Sequence, residues 1–146
     1  MATTQEVAAR FIEAFNAHDE EAIRAVNGEN VVFEGPGDVR LEGRDATTQY
    51  AMEWLNAFPD ARLIVHNEIV AGDWVAQECT FVGTHTAPMQ SPMGEIPATH
   101  RTLEGRCVQV IRVEGDVAVE EKLYYDQVQV MTQLGLMPEP AVAQPA

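Results

Sequence analysis

Apolar residues recur at helical spacing in the first part of the chain, and this pattern predicts two helices there. Thr3 followed by Glu6 is typical of a capping box, so the first helix is expected to begin at this point and to end near residues 16–18. Asp19 can cap a second, short helix. The positions predicted to face the core are Val7, Phe11, Ala14, Phe15, Ala22, Ile23 and Val26.

Residues 31–33 predict a short strand, which ends at the turn-forming run Gly35-Pro36-Gly37. A third helix is predicted after this turn. Asp45 is expected to start this helix. Pro59 is expected to stop it, because proline lacks the N–H group that a helix interior needs. Its predicted apolar face consists of Tyr50, Ala51, Trp54, Leu55 and Phe58.

The remainder of the chain alternates apolar and polar residues over long stretches, which predicts strands at 63–71, 74–86, 103–113 and 117–126. Gly72-Asp73 joins the first two strands and Gly115-Asp116 the last two. Each pair predicts a tight hairpin with glycine where a positive φ is required. The loop between the hairpins, residues 87–98, contains three prolines and is either a lid on a pocket or a plain solvent loop.

Helices first and two long hairpins afterwards predict an α+β fold, with three N-terminal helices packed on one face of a curved antiparallel sheet. A sheet that wraps over helices leaves a cone-shaped cavity at its open end, where a small-molecule site is expected. We expect a single domain over residues 1–137, followed by a tail rich in proline and alanine at 138–146.

Composition narrows the possible partners of this domain. The 146 residues include 9 basic and 23 acidic side chains, a net charge of −14, so nucleic acids and anionic membranes are not expected to bind. No apolar run approaches the ~20 residues of a membrane span, and the N-terminus lacks the features of a secretory signal. Cys79 and Cys107 are isolated, which is typical of reduced thiols in a cytoplasmic protein.

The common catalytic signatures are missing from the sequence. The single serine, Ser91, lies in the proline-rich loop, so no nucleophile elbow is present. The four histidines are scattered, with no spacing typical of a metal site, and no glycine-rich phosphate or dinucleotide motif occurs. The sequence therefore predicts no metal and no cofactor, and leaves either acid–base chemistry or simple binding of a small molecule.

The run from Glu120 to Gln127, at the end of the last predicted strand, holds three carboxylates, two tyrosines and the only lysine of the chain. Polar groups at this density are costly to bury unless they are paired, so they are expected to face water or to line a cavity.

Short segments in a fixed order along the chain resemble those of the SnoaL-like polyketide cyclases, which have the nuclear transport factor 2-like fold. The resemblance implies an enzyme that needs no cofactor, is commonly dimeric, and closes a ring by intramolecular aldol reaction of a polyketide ester. The segments are Glu13-Ala14-Phe15-Asn16, Trp54 with Ala57-Phe58-Pro59-Asp60, Ala71-Gly72-Asp73, Gly83-Thr84-His85-Thr86, Pro97-Ala98-Thr99, Arg112, Gly115 and Gln133-Leu134-Gly135.

The same resemblance places a leucine where the family has its catalytic aspartate. Leu123 takes that position, while Cys107 and Gln109 match the assisting glutamine and histidine of the neighbouring strand. A leucine cannot move protons, so a different residue must do so if the protein is an enzyme. If Leu123 faces the cavity, strand alternation puts Glu121 and Tyr125 on the same face.

Three residues are candidates for the catalytic role. Glu121 is the first, because burial beside Trp54 and Phe15 would raise its pKa towards that of a useful base. Asp126 is either a second acid–base group or the N-cap of a following short helix. His85 either donates a hydrogen bond to a substrate carbonyl or has a structural role. The residues predicted to line the substrate pocket are Phe15, Phe33, Met52, Trp54, Gln109, Leu123 and Tyr125.

These observations favour a cytoplasmic cyclase or isomerase that acts by proton transfer on a small hydrophobic, oxygenated metabolite of polyketide or terpenoid type. The alternatives are a binding protein that uses the same cavity without chemistry, and an isomerase or hydratase similar to ketosteroid isomerase. A homodimer is expected to form through the outer face of the sheet, because Val108 and Val110 make strand 103–113 apolar on that face as well.

Overall fold

The first two helices begin at the residues that the capping pattern indicates. The computed structural model describes residues 2–91 and 94–137, and within it α1 spans Thr4–Asn16 and α2 spans Glu20–Val26. Thr3 and Glu6 form the reciprocal bonds of a capping box, which confirms the prediction. Asp19 accepts a hydrogen bond from the Ala22 N–H at 3.1 Å, and a cap of this kind stabilises a helix by about 1 kcal/mol.

The third helix, α3, spans Arg44–Ala57 and begins one residue before the predicted start. Gly43 occupies the N-cap position with a φ of 97°, a conformation that favours glycine, and no side chain caps the helix. Asp45 instead forms an ion pair with Arg24 of α2. The helix ends before Pro59, as predicted.

Within the described residues, eight strands and one further short helix complete the fold. The bounds are β1 Asn27–Gly35, β2 Val39–Glu42, β3 Arg62–Ala71, β4 Trp74–Thr84, β5 Met89–Ser91, β6 Gly94–Ile96, β7 Thr102–Glu114, β8 Val117–Tyr125 and α4 Gln127–Gln133. Six of these strands form one sheet in the order β2-β1-β8-β7-β4-β3, and β5 pairs with β6 separately.

Both long hairpins have the predicted register-setting turns. Ala71 pairs with Trp74 across the turn between β3 and β4, and Glu114 pairs with Val117 across the turn between β7 and β8. Gly72 and Gly115 have φ values of 60° and 61°, which a residue with a Cβ atom adopts only with strain. The α+β fold with a curved sheet against helices is confirmed.

Three details differ from the sequence expectation. The sheet is antiparallel except between β1 and β8, which run parallel. Strand β2 pairs with β1 in a hairpin that the short, mostly polar segment did not indicate. The loop at 87–98 contains the β5–β6 hairpin, whose Met89 is buried. Each detail depends on a strand that is not adjacent in sequence or on packing against the rest of the fold. Local periodicity indicates neither the direction in which two strands pair nor whether a short segment forms a strand.

The core lies between the helices and the inner face of the sheet. Phe58, Ile23 and Leu103 are among the fully buried side chains there. Cys79 and Cys107 are buried, free and directly opposite each other on β4 and β7. Among the described residues, no helix is long and apolar enough to cross a membrane. The predicted tail at 138–146 lies outside the described residues.

Candidate active site

A cavity opens between the helices and the concave face of the sheet, and the space inside it, including its opening to solvent, is about 730 Å³. Small-molecule sites usually lie in mostly apolar clefts of this kind. Most of the wall is apolar, and its polar groups come from β1, α3, β7 and β8. The lining residues are Phe11, Phe15, Asn27, Phe33, Thr47, Tyr50, Ala51, Trp54, Leu63, Phe81, Leu103, Gly105, Cys107, Gln109, Glu121, Leu123, Tyr125 and Val130.

Strand β8 provides one wall of the cavity with every second residue. Glu121, Leu123 and Tyr125 all line the cavity, as expected when side chains alternate between the two faces of a strand. The intervening Lys122 and Tyr124 lie on the outer face, where the Lys122 ammonium stands over the Trp74 ring. The position that the resemblance assigns to the catalytic aspartate is therefore part of the wall, and Leu123 makes it apolar.

Glu121 is the buried carboxyl group of this wall. It is 8% exposed, and its Oε1 atom has no hydrogen-bond partner among the residues that the structure describes. Burial disfavours the charged form and raises the pKa of Glu121 to about 7. A carboxyl group with this pKa can accept a proton and return it near neutral pH, which general acid–base catalysis requires.

Gln109 places an amide donor close to this carboxyl group. It stands opposite Leu123 in the β7–β8 register, so it is a diagonal neighbour of Glu121 on the same face. Its buried Nε2 has no well-formed hydrogen bond within the described part of the chain. Cys79 lies beside it, but a thiol sulfur is a weak acceptor, so the amide keeps its capacity to donate to a ligand oxygen.

Two tyrosine hydroxyls meet on the cavity wall. Tyr50 comes from α3 and Tyr125 from β8, and their hydroxyl groups interact. Burial raises the pKa of both tyrosines, so both remain protonated hydrogen-bond donors at neutral pH. The ring of Tyr125 packs edge-on against Trp54 at 5.7 Å, and Phe33 packs on Tyr50 at 4.5 Å.

His85 lies outside the residues that line the cavity. It is fully buried, its ring stacks on Phe58 at 5.1 Å, and its Nδ1 lies 3.0 Å from the Thr99 hydroxyl. The Thr99 N–H also donates to Nδ1, at 3.2 Å. Burial lowers the pKa of His85, which favours the neutral ring. These contacts connect the two ends of the 85–99 segment.

Asp126 and Met52 also lie outside the cavity wall. Asp126 is exposed and caps α4, where it accepts a hydrogen bond from the Gln129 N–H at 3.1 Å. Met52 is partly buried and packs against the core. The structure thus brings Glu121, Gln109, Leu123 and Tyr125 together with the predicted aromatic residues, and it leaves three of the candidates elsewhere.

Three polar residues of the wall were not identified from the sequence. Thr47 and Tyr50 belong to the helical series that continues through Ala51 to Trp54, and extending the predicted apolar face by one turn would have found Thr47. Tyr50 was assigned to the core face without a role. Asn27 has no local signal, because its burial depends on how α2, β1 and α3 meet.

The described residues contain no group of three or more histidine, cysteine, aspartate or glutamate side chains placed to hold a metal ion. The arrangement is instead a mostly apolar cavity with one buried carboxyl group and several hydrogen-bond donors. Such a site can bind a hydrophobic molecule, exchange a proton with it and stabilise negative charge on its oxygen.

Residues 5–134 match the family of SnoaL-like polyketide cyclases. The chain belongs to this family, because the match covers most of its length. No curated protein sequence matches the chain.

Solved structures show the same fold. IdmH from Streptomyces antibioticus, a candidate polyketide cyclase, is 27% identical, with a TM-score of 0.76 over 92% of this chain and 99% of that chain. A SnoaL-like polyketide cyclase candidate from Jannaschia sp. CCS1 is 18% identical, with a TM-score of 0.81 over 92% and 93% of the two chains. An epoxide hydrolase of M. tuberculosis is 17% identical, with a TM-score of 0.70 over 90% and 88%.

Proposed function

We propose that this protein is a cyclase or isomerase that needs no cofactor and uses Glu121 to move a proton on a hydrophobic, oxygenated metabolite. The observation that carries the proposal is a buried carboxyl group that faces an apolar cavity and has an oxygen with no partner among the described residues. A structural carboxylate would be expected to have a partner, since an unpaired charge in such a place is costly.

The proposed reaction begins with removal of a proton from the carbon next to a substrate carbonyl. Glu121 takes the proton, and the electron pair moves onto the carbonyl oxygen to form an enolate. The Gln109 amide and a tyrosine hydroxyl donate hydrogen bonds to that oxygen. The enolate carbon then attacks a second carbonyl and closes a ring; the first carbonyl re-forms, and the new alkoxide takes the proton from Glu121. Alternatively, the enolate takes the proton back from Glu121 at another carbon, and the product is an isomer.

With Leu123 at the position that the resemblance assigns to the catalytic aspartate, the carboxyl group of the proposed mechanism comes from a different position on the same strand. Glu121 lies two residues earlier on the same face of β8, which is about 7 Å along the strand. A substrate bound deeper in the cavity by this distance would bring its acidic carbon to Glu121. Membership in a family of polyketide cyclases and the likeness to IdmH support a substrate of polyketide type.

The proposal can be tested without knowledge of the natural substrate. 1-Tetralone is a bicyclic ketone with exchangeable hydrogens beside its carbonyl, and their replacement by deuterium in D₂O can be followed by NMR. We expect the wild-type protein to accelerate the exchange and Glu121→Gln to lose the acceleration. Saturable binding of the ketone with no acceleration would contradict the proposal and favour the binding-protein alternative.

We also propose that a second copy of the chain covers the outer face of the sheet. Val108 and Val110 are only partly buried at the centre of this face, and the large apolar side chains of Ile69 and Tyr124 are exposed. We expect sedimentation equilibrium at micromolar concentration to show a dimer, and Val108→Arg to give a monomer with the same tetralone exchange rate. A wild-type monomer would contradict the dimer without affecting the role of Glu121.

A further inference from the structure

Two polar side chains of the cavity wall have no part in the proposed proton transfer. Asn27 stands at the junction of α2 and β1, and Thr47 lies in the first turn of α3. They are 1% and 3% exposed, and both line the cavity. Buried polar groups are nearly always hydrogen-bonded, so unpaired ones in a cavity wall are the groups to which a ligand, or the water that it displaces, would bond.

Hydrogen bonds fix the orientation of Asn27. Its Nδ2 donates to the Thr48 hydroxyl at 3.1 Å, and its backbone carbonyl accepts from the Arg44 Nε at 2.8 Å. The remaining polar atom of its side chain, Oδ1, is buried and has no partner among the described residues. An amide oxygen can accept a hydrogen bond but cannot donate one, so Asn27 requires a donor from the ligand.

Thr47 supplies the complementary group. Its Oγ1 is also buried without a partner in the described part of the chain, and a hydroxyl group can donate as well as accept. Asn27 bonds to Thr48, the residue after Thr47 on α3, and both Asn27 and Thr47 line the cavity, so the two unpaired groups belong to neighbouring parts of the wall. A ligand hydroxyl has the chemistry that both require, since it can donate to an amide oxygen and accept from a threonine hydroxyl.

We propose that Asn27 and Thr47 form a subsite for a hydroxyl group of a hydrophobic ligand, so that the substrate is a hydroxylated carbonyl compound. The inference rests on the proposed function in taking this cavity as the substrate site. Asn27 pairs with Ala118 in the β1–β8 register, three residues before Glu121, which is ~10 Å along the strand. The hydroxyl group is therefore remote from the reacting carbon and serves to select and orient the substrate.

The test uses 2-naphthol and naphthalene, which share one bicyclic skeleton and differ by a hydroxyl group. Ligand-observed NMR titrations give the dissociation constant of each compound with the wild-type protein. We expect 2-naphthol to bind about fivefold to tenfold more tightly, the gain of a buried hydrogen-bonded hydroxyl. Thr47→Val keeps the shape of the side chain but removes its hydroxyl, and we expect the preference to fall to about twofold or less.

Two further variants act as controls. Thr47→Ser keeps the hydroxyl and is expected to keep the preference. Thr132→Val removes another buried hydroxyl that has no partner among the described residues but does not line the cavity, and it is expected to change neither affinity. Thermal denaturation of each variant checks that it is folded.

Equal affinity of the wild-type protein for the two compounds would overturn the subsite, as would the absence of saturable 2-naphthol binding. An unchanged preference in Thr47→Val, or an equal loss for both compounds, would also overturn it. Neither compound carries a ketone, so these results do not depend on proton transfer by Glu121. Failure of the subsite is thus distinguished from failure of the proposed function, which the exchange of 1-tetralone tests separately.

Discussion

The two faces of β8 place the same residue types in opposite environments. Glu121 faces the cavity, is 8% exposed and has an unpaired oxygen among the described residues. Glu120, one residue earlier, faces outwards, and its side chain is 34% exposed and accepts hydrogen bonds from Arg112 at 2.9 and 3.0 Å. Consecutive glutamates thus become a candidate base and a partner in a surface ion pair.

The tyrosines of the same strand repeat the contrast. Tyr125 lines the cavity, packs against Trp54 and interacts with the Tyr50 hydroxyl, whereas Tyr124 is 57% exposed on the outer face. The two members of each pair have the same side chain and therefore the same functional group. Burial makes only one member of each pair a candidate for acting on a small molecule, because a low-dielectric surrounding shifts the pKa and removes competition from water.

The largest expected difference between the two faces is in reaction rate. Glu121→Gln keeps the shape of the side chain but cannot accept a proton, so we expect the acceleration of 1-tetralone exchange to fall by ~10²–10⁴. Glu120→Gln is the matched control, with the same substitution one residue away. It is expected to retain the wild-type rate, measured by NMR in D₂O at pH 8.

A similar loss in both variants would mean that the strand as a whole, rather than the buried carboxyl group, is sensitive to the change.

In the wild-type protein the exchange rate should rise with pH and level off above the pKa of about 7, because only the ionised carboxylate accepts a proton.

A smaller difference is expected in the pH dependence of stability. The carboxyl pKa of Glu121 is raised from 4.5 to about 7, so between these values the folded protein keeps a proton that the unfolded chain has lost. The free energy of unfolding therefore decreases as the pH rises through this window, by about 3 kcal/mol in total. Below pH 4.5 the carboxyl group is protonated in both states and the effect vanishes.

Glu121→Gln should abolish this dependence. We expect the variant to be more stable than the wild type by about 3 kcal/mol at pH 8 and equally stable at pH 4, measured by urea denaturation. Glu120→Gln is expected to lose less than about 1 kcal/mol, since partly exposed ion pairs contribute little. A stability difference for Glu121→Gln that is constant with pH would argue that the carboxyl group is not the cause.

The smallest expected effect concerns Asp126, at the end of the strand and outside the cavity wall. Asp126→Ala removes the cap of α4, so we expect a loss of about 1 kcal/mol in the free energy of unfolding and no change in tetralone exchange. Asp19→Ala, which removes the equivalent cap of α2, should cost a similar amount.

Asp126→Asn separates the cap from the charge, because asparagine caps a helix about as well as aspartate. This variant should keep both stability and exchange. A large loss of exchange in Asp126→Asn, with the fold intact, would instead return Asp126 to the acid–base machinery.

Local sequence determined much of the fold. The capping residues Thr3 and Asp19, the stop at Pro59 and the glycines of the two long hairpins all act over a few residues, so their effects follow from the chain alone. The alternation that places Glu121, Leu123 and Tyr125 on one face of β8 is local in the same sense.

Only the tertiary structure decided which face lines the cavity and what else lines it. The parallel pairing of β1 with β8 joins segments about 90 residues apart, and it brings Asn27 and Phe33 beside β8. The burial that raises the pKa of Glu121 comes from helices and strands distant in sequence. The same burial leaves Gln109, Asn27 and Thr47 with atoms that have no partner in the part of the chain that the structure describes. Periodicity specifies the direction of a side chain relative to its own strand, whereas desolvation depends on every element packed against it.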